Sequence, residues 1–266
     1  MAVLGTITST SNPRAKDVRS LHKRRVRYRT ERYLIEGQRL VAQALALRSE
    51  LASSFFTEEF ARSPQGEPLV AALAEAEAPA YQVTPQVLAH MSDTETPQGV
   101  LAVARMPPPD LAAARAADLV VLLDEVRDPG NLGTILRTCV ATGVGAVLLT
   151  MGCVDAYAPK VVRAGMGAHA ALRIVPNLEW AAIGHLVDGM RCVLADIHGE
   201  HTPWGLDWTA PTALIVGSEA HGPGPEAQAL AEESVRLPMA EDAESLNVAV
   251  ATAVLLFEAY RQRHAL

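Results

Sequence analysis

Five short, mostly apolar segments in the second half of the chain, residues 119–123, 146–150, 192–195, 213–216 and 234–237, alternate with stretches of helical periodicity. A strand with one wet face alternates polar and apolar residues, so unbroken apolar runs are strands buried on both faces. Strands of that kind separated by helices form a mostly parallel sheet with helices on both sides, which makes this part of the chain α/β.

Ligands of open α/β sheets bind beyond the carboxyl ends of the strands. Three polar, glycine-rich stretches stand at such ends. Asp128-Pro129-Gly130-Asn131-Leu132-Gly133 follows the first run and leads to Arg137; Gly217-Ser218-Glu219-Ala220-His221-Gly222 follows the fourth; Leu237-Pro238-Met239 ends the fifth and leads to Ser245-Leu246-Asn247. In the first stretch Asp-Pro-Gly is a turn, and Asn131 is placed to cap the next helix with its side-chain oxygen. Leu132, Ile135, Leu136, Cys139 and Val140 make one apolar face of that helix. Arg137 lies about 140° from its centre at 100° per residue, either facing a ligand or as an ordinary surface arginine. In the second stretch the backbone at Gly217 and Ser218 can come close to a ligand and offer N–H and C=O groups. Glu219 there either organises the site, pairing with Arg137 or Asn131, or is a solvated loop carboxylate. Ser245 reads equally as a helix cap and as a ligand-holding hydroxyl. Glycine loops also serve phosphate- and nucleotide-binding enzymes, but neither G-x-G-x-x-G nor G-x-x-x-x-G-K-[ST] occurs.

In order and spacing the three stretches resemble the three motifs of the SpoU (TrmH-like) family within the SPOUT class of RNA methyltransferases, over residues 119–266. The resemblance implies methyl transfer from S-adenosylmethionine to a ribose 2′-hydroxyl of a structured RNA, ribosomal RNA ahead of transfer RNA. It implies a catalytic set of Arg137, Asn131, Glu219, Ser245 and Asn247. It also implies a cofactor site built from Gly217, Ser218, Glu219, Leu237, Met239, Leu246 and Asn247, with main-chain groups near Leu237, Met239 and Leu246 reading the adenine. The family's proposal makes the arginine matching Arg137 the general base; stabilisation of the alkoxide by a charged Arg137 is the alternative. A trefoil knot and a homodimer through the knotted domain are further implications. His198, Glu200 and His201 lie close in sequence, but they lack a helical His-x-x-x-His pattern or a cysteine partner and the family's chemistry needs no metal, so no metal site is read there. Two positions depart from the family pattern: Ala220 stands where glycine is usual and Gly165 where serine is common. An RNA-binding protein that keeps the fold without the catalysis is the competing class, and the presence of all five motif residues argues against it.

The net charge of −7 over 266 residues hides an asymmetry. Up to Arg39 there are ten Lys and Arg against three acids, a local charge of +7 that leaves −14 on the rest. A basic arm on an acidic body points to a polyanion held by one region and chemistry done in another. Arg14, Lys16, Arg19, Lys23, Arg24, Arg25, Arg27 and Arg29 are the expected RNA contacts, with a solvated helical arm as the bland alternative. Three prolines at Pro107–Pro109 end both helix and ladder, giving a division into residues 1–105, a linker at 106–117, and a methyltransferase domain at 118–266. In the first part, short apolar segments at 33–37, 54–57, 80–83 and 100–104 alternate with helical ones, a small α/β domain that resembles the ribosomal-L30e-like RNA-binding domain. Removing residues 1–105 is then expected to separate RNA affinity from cofactor binding.

The run at 246–257 is too short to cross a bilayer, and the first residues lack the basic start and apolar core of a secretory signal. Three cysteines without a Cys-x-x-Cys pair fit reduced thiols in a cytoplasmic protein. The same run is apolar on nearly every side of a helix and must bury more than one face, against a second copy or against its own sheet.

Overall fold

The computed structural model describes residues 4–219, 221–242 and 244–264. The departure at Ala220 and the first three residues of the amino terminus fall outside them. The chain divides into two units, Met1–Pro107 with Tyr157–Ala170, and Pro108–Ala156 with Ala171–Leu266.

The first unit begins with β1 (Thr6–Ile7), α1 (Pro13–Ser20), α2 (Arg24–Thr30), β2 (Arg32–Glu36), α3 (Gln38–Ala46) and β3 (Leu51–Thr57). It continues through α4 (Glu58–Ala61), α5 (Gly66–Glu75), β4 (Ala80–Val83), α6 (Pro85–Met91) and β5 (Val100–Arg105). Its sheet has the order β1-β4-β3-β5-β2, with β5 antiparallel to both neighbours. Asn12 and Thr84 start α1 and α6, each accepting a backbone N–H on its side-chain oxygen and each followed by proline. Val18, Leu21, Val87 and Met91 from this part of the chain join Leu34, Phe55, Val83 and Leu101 of the strands in one core.

Seven of the eight expected RNA-binding cations, Arg14, Lys16, Arg19, Lys23, Arg24, Arg25 and Arg29, are exposed. Arg27 is not. It is 3% exposed and donates through a guanidinium nitrogen to the Leu21 carbonyl at 2.7 Å, satisfying the end of α1. Charge counting could not separate it from its neighbours, because the difference is the inward face of a short helix.

The second unit opens with α7 (Leu111–Arg115), β6 (Leu119–Leu123), α8 (Pro129–Ala141) and β7 (Ala146–Thr150). The chain then crosses back to the first unit with α9 (Pro159–Ala164) and most of α10 (Ala168–Ala171). There the Tyr157 and His169 rings lie 5.1 and 5.9 Å from Tyr33, and Arg163 faces Glu36 at 3.9 Å and Asp93 at 3.5 Å. A single cut at the prolines misses this excursion, because its partners lie far upstream in sequence. The second unit resumes with β8 (Arg173–Leu178), α11 (Trp180–Leu186), β9 (Arg191–Ala195), β10 (Thr212–Val216), α12 (Pro225–Leu230), β11 (Glu233–Val235) and α13 (Val248–Arg263).

All six strands of this unit are parallel, in the order β11-β9-β10-β6-β7-β8. β6 and β10 are buried along their whole length, as the unbroken apolar runs require. β8 has no such run because it is an edge strand, where Pro176 removes no needed donor. β11 ends at Val235 rather than Leu237, because the Arg236 N–H turns to the His201 carbonyl at 2.9 Å. The chain runs β6, β7, β8 to one side and later inserts β10 beside β6 on the other. The carboxyl ends at Leu123 and Val216 are therefore register partners where the strand order reverses, the place in such sheets where ligands bind.

Candidate active site

Helix α8 leaves the end of β6 at Asp128, whose Oδ1 accepts the Asn131 N–H at 2.8 Å, with Pro129 in the first helical position. Asp128 is thus the cap, not Asn131, and the Asn131 side chain is left for other work. Its Nδ2 donates to Glu219 Oε1 at 2.8 Å, and its Oδ1 accepts from Asn247 Nδ2 at 2.9 Å. Asn247 in turn caps α13, its Oδ1 accepting from the Ala249 and Val250 N–H groups at 3.0 and 3.3 Å. Ser245 is therefore not the helix cap; it stands exposed two residues earlier. Three stretches far apart in sequence are joined side chain to side chain, and Glu219 pairs with Asn131 rather than with Arg137.

The loop after β10 is held by its own backbone. Ser218 and Gly222 exchange two hydrogen bonds of 3.0 and 2.9 Å, and a Cβ on Gly217 would fall 2.4 Å from the Pro223 nitrogen, so only glycine fits there. Buried Asp124 accepts the Gly224 N–H at 2.9 Å and the Thr150 hydroxyl at 3.4 Å, tying this loop to the ends of β6 and β7. The Arg127 N–H reaches the second oxygen of Glu219 at 3.4 Å.

These loops enclose a cleft of about 740 Å³ at the carboxyl ends of β9, β10 and β11. Leu237, Met239 and Leu246 give it apolar walls, joined by Val216, Ala251 and Leu255; Asn131, Ser218, Glu219, Ser245 and Asn247 supply polar fixings. Gly217 lines it as well. Asp196, Ile197, His198 and His221 also line it, beyond the residues that the resemblance assigns to the cofactor. The first three follow β9 directly, and the strand-end rule applied to that strand would have found them. Arg137 is not on the lining: it is exposed on α8, opposite the buried Leu132, Ile135, Leu136 and Cys139. Val140, grouped with that apolar face in sequence, is 39% exposed.

Among the described residues no group of three His, Cys, Asp or Glu is arranged to hold a metal ion. His198 lines the cleft, whereas the His201 backbone is bound to Ser234 and Arg236 away from that lining. The three cysteines are free and buried, and burial pushes their thiols up, Cys192 to about 11, which leaves them poor nucleophiles. Gly165 closes α9 in the first unit; a Cβ there would sit 3.2 Å from both a His169 ring carbon and the Val161 carbonyl, so the family's serine would press on both. No helix among the described residues is long and apolar enough to cross a membrane.

A parallel α/β sheet with a cleft closed by three loops at its carboxyl edge is the frame of a cofactor-binding α/β domain, and its likeness to solved SpoU methyltransferases gives the class. The chain belongs to the SpoU rRNA Methylase family, which residues 118–257 match; residues 12–102 match the MRM3-like substrate binding domain. It is 34% identical to the 23S rRNA (guanosine(2553)-2′-O)-methyltransferase RlmP of Bacillus subtilis, over 94% of this chain and 97% of that one. It is 31% identical to the human mitochondrial rRNA methyltransferase 3, over 86% of this chain and 67% of the relative. The AdoMet-bound rRNA methyltransferase of Sinorhizobium meliloti superposes with a TM-score of 0.83 at 32% identity, covering 98% of both chains. The AdoMet complex of the SpoU methyltransferase AviRb from Streptomyces viridochromogenes gives 0.87 at 28%, covering 96% and 99%. S-adenosylmethionine is the cofactor of this class, and the cleft suits it: apolar walls, a few polar fixings and a volume in the range of small-molecule sites.

Proposed function

We propose that the protein methylates the 2′-hydroxyl of one nucleotide in ribosomal RNA, working as a cytoplasmic homodimer. The observation that carries the reading is the Glu219–Asn131–Asn247 chain of hydrogen bonds, which draws all three motifs to one cleft. Leu237, Met239 and Leu246 would hold the cofactor's adenine, and Gly217 and Ser218 would let the backbone come close to its ribose. S-adenosylmethionine supplies a methyl group already activated by its sulfonium. What the chain must do is orient a ribose hydroxyl in line with that methyl and stabilise the charge left when the hydroxyl loses its proton. Ser245 and Asn247 offer a hydroxyl and an amide for the first task. Arg137 is the group for the second; a guanidinium, a planar cation with five N–H donors, suits alkoxide stabilisation better than proton removal.

Seven exposed cations of the first unit would meet RNA phosphates. Helix α13 supports the homodimer. It buries Ala249, Thr252, Leu255, Leu256 and Ala259, yet leaves Val250, Val254 and Phe257 at 50, 43 and 52% exposed on the turns between. A stripe at i, i+4 and i+7 is a helical face that a single chain leaves wet. Buried free thiols support a reducing compartment.

The test is mapping of 2′-O-methylation in total RNA from cells with and without the gene, with transfer of labelled methyl by the purified protein to ribosomal RNA from the deficient cells. One ribosomal position should lose its methyl group in vivo and regain it in vitro. Label in transfer RNA alone, or RNA binding without transfer, would refute the reading.

A further inference from the structure

The cofactor cleft has an unusual charge inventory. Its lining contains two carboxylates, Asp196 and Glu219, and among the described residues no lysine or arginine. Of the arginines in neighbouring segments, Arg127 is engaged with Glu125 and Arg236 with the Gly199 carbonyl, and Arg137 lies on α8 off the lining. S-adenosylmethionine brings two cations, its sulfonium and its ammonium, which two carboxylates suit. It also brings one carboxylate, and among the described lining side chains His198 and His221 offer it imidazole N–H donors.

Both stand on the cleft lining. Ala195 of β9 and Val216 of β10 are register partners, so the loops carrying the two histidines leave neighbouring strand ends. The backbone of each loop is pinned. Asp196 Oδ1 accepts the His198 N–H at 2.7 Å, and the Ser218–Gly222 bonds close the other loop around His221. A Cβ on Gly199 would fall 2.5 Å from the Val235 carbonyl carbon, which seats the first loop tightly against the end of β11, the strand beside β9. Both side chains are exposed at the cleft, where a ligand can reach them. An imidazole donates an N–H in either protonation state, so each can serve a carboxylate.

We propose that His198 and His221 are positioning residues that hold the methionine carboxylate of S-adenosylmethionine, and so select the intact cofactor over analogues without that group. The inference rests on the cleft being the cofactor site. Its test is calorimetric binding of S-adenosylmethionine and of decarboxylated S-adenosylmethionine to the intact protein, His198→Gln, His221→Gln and the double variant. Parent protein should bind the intact cofactor about tenfold or more tightly than the analogue, as a hydrogen bond to a charged group implies. The double variant should lose that preference, weakening toward the intact cofactor while holding the analogue as before. Equal losses for both ligands, or an unchanged preference, would overturn the assignment. A parent protein that bound neither ligand would instead overturn the cofactor reading, and a parent that bound both equally would overturn the role of the histidines while leaving that reading standing.

Discussion

Asn247 divides its amide between two elements: Oδ1 caps α13, and Nδ2 donates to Asn131 Oδ1 at 2.9 Å. The two jobs separate by substitution. Asn247→Asp keeps a capping oxygen but loses the donor, so it should melt close to the parent while methyl transfer falls about tenfold or more. Asn247→Ala loses both and should also melt about 2–4 °C lower, the worth of a cap of about 1 kcal/mol. Thermal melts beside single-turnover assays check the split, and equal activity in Asp and parent would remove the Asn131 hydrogen bond from the mechanism.

Arg137 is exposed on α8, opposite its buried face. Arg137→Ala should therefore leave the melting temperature and calorimetric S-adenosylmethionine affinity unchanged, while its proposed role at the methyl acceptor predicts that methyl transfer is abolished. Normal turnover in this variant would exclude the arginine from catalysis.

The basic arm should be probed through its exposed members. Replacing Lys23, Arg24, Arg25 and Arg29 with alanine should flatten the log–log dependence of RNA affinity on salt, by roughly 0.7–0.9 for each phosphate that is no longer neutralised. Arg27→Ala should instead lower stability, since it strips the buried Leu21 carbonyl of its donor. Filter binding across a salt series and a melt of each variant distinguish the two effects; an unchanged slope in the fourfold variant would make the arm an ordinary solvated surface.

On α13, Phe257→Asp places a charge on a face the single chain leaves exposed. Light scattering at micromolar concentration should give a dimer for the parent and a monomer for the variant, with little change in the monomer's helical content. A monomeric parent would contradict the dimer outright.

A fragment starting at residue 106 should not behave as the simple division at the prolines suggests. It would carry Tyr157–Ala170 without the β2 residues that bury Tyr157 and His169. The expected result is a lower melting temperature and aggregation on heating, read by scattering during the melt, and a clean high-temperature transition would show that the excursion needs no partner.

The second unit's strands were legible because wholly buried parallel strands are continuous apolar words, as 119–123 and 146–150 show without error at either end. β8 and the end of β11 were not, because edge strands obey looser rules and Pro176 or a turning Arg236 leaves no local pattern. The motif loops could be read as one site, but which residue caps which helix could not. Asp128 and Asn131, like Ser245 and Asn247, are equally able caps, and only the three-dimensional partner decides which amide is left over. Asp124 was invisible for a similar reason: its acceptor role toward Gly224 spans a hundred residues.

The return of Tyr157–Ala170 to the first unit also sets an order of events at the ribosome. Domains generally fold as units, the amino-terminal one first as the chain emerges. Here the amino-terminal unit is synthesised first yet stays unfinished until residue 170 has left the exit tunnel, after β6, α8 and β7 of its neighbour have appeared. The second unit is thus partly made before the first is complete, so the two cannot be finished strictly one after the other along the chain.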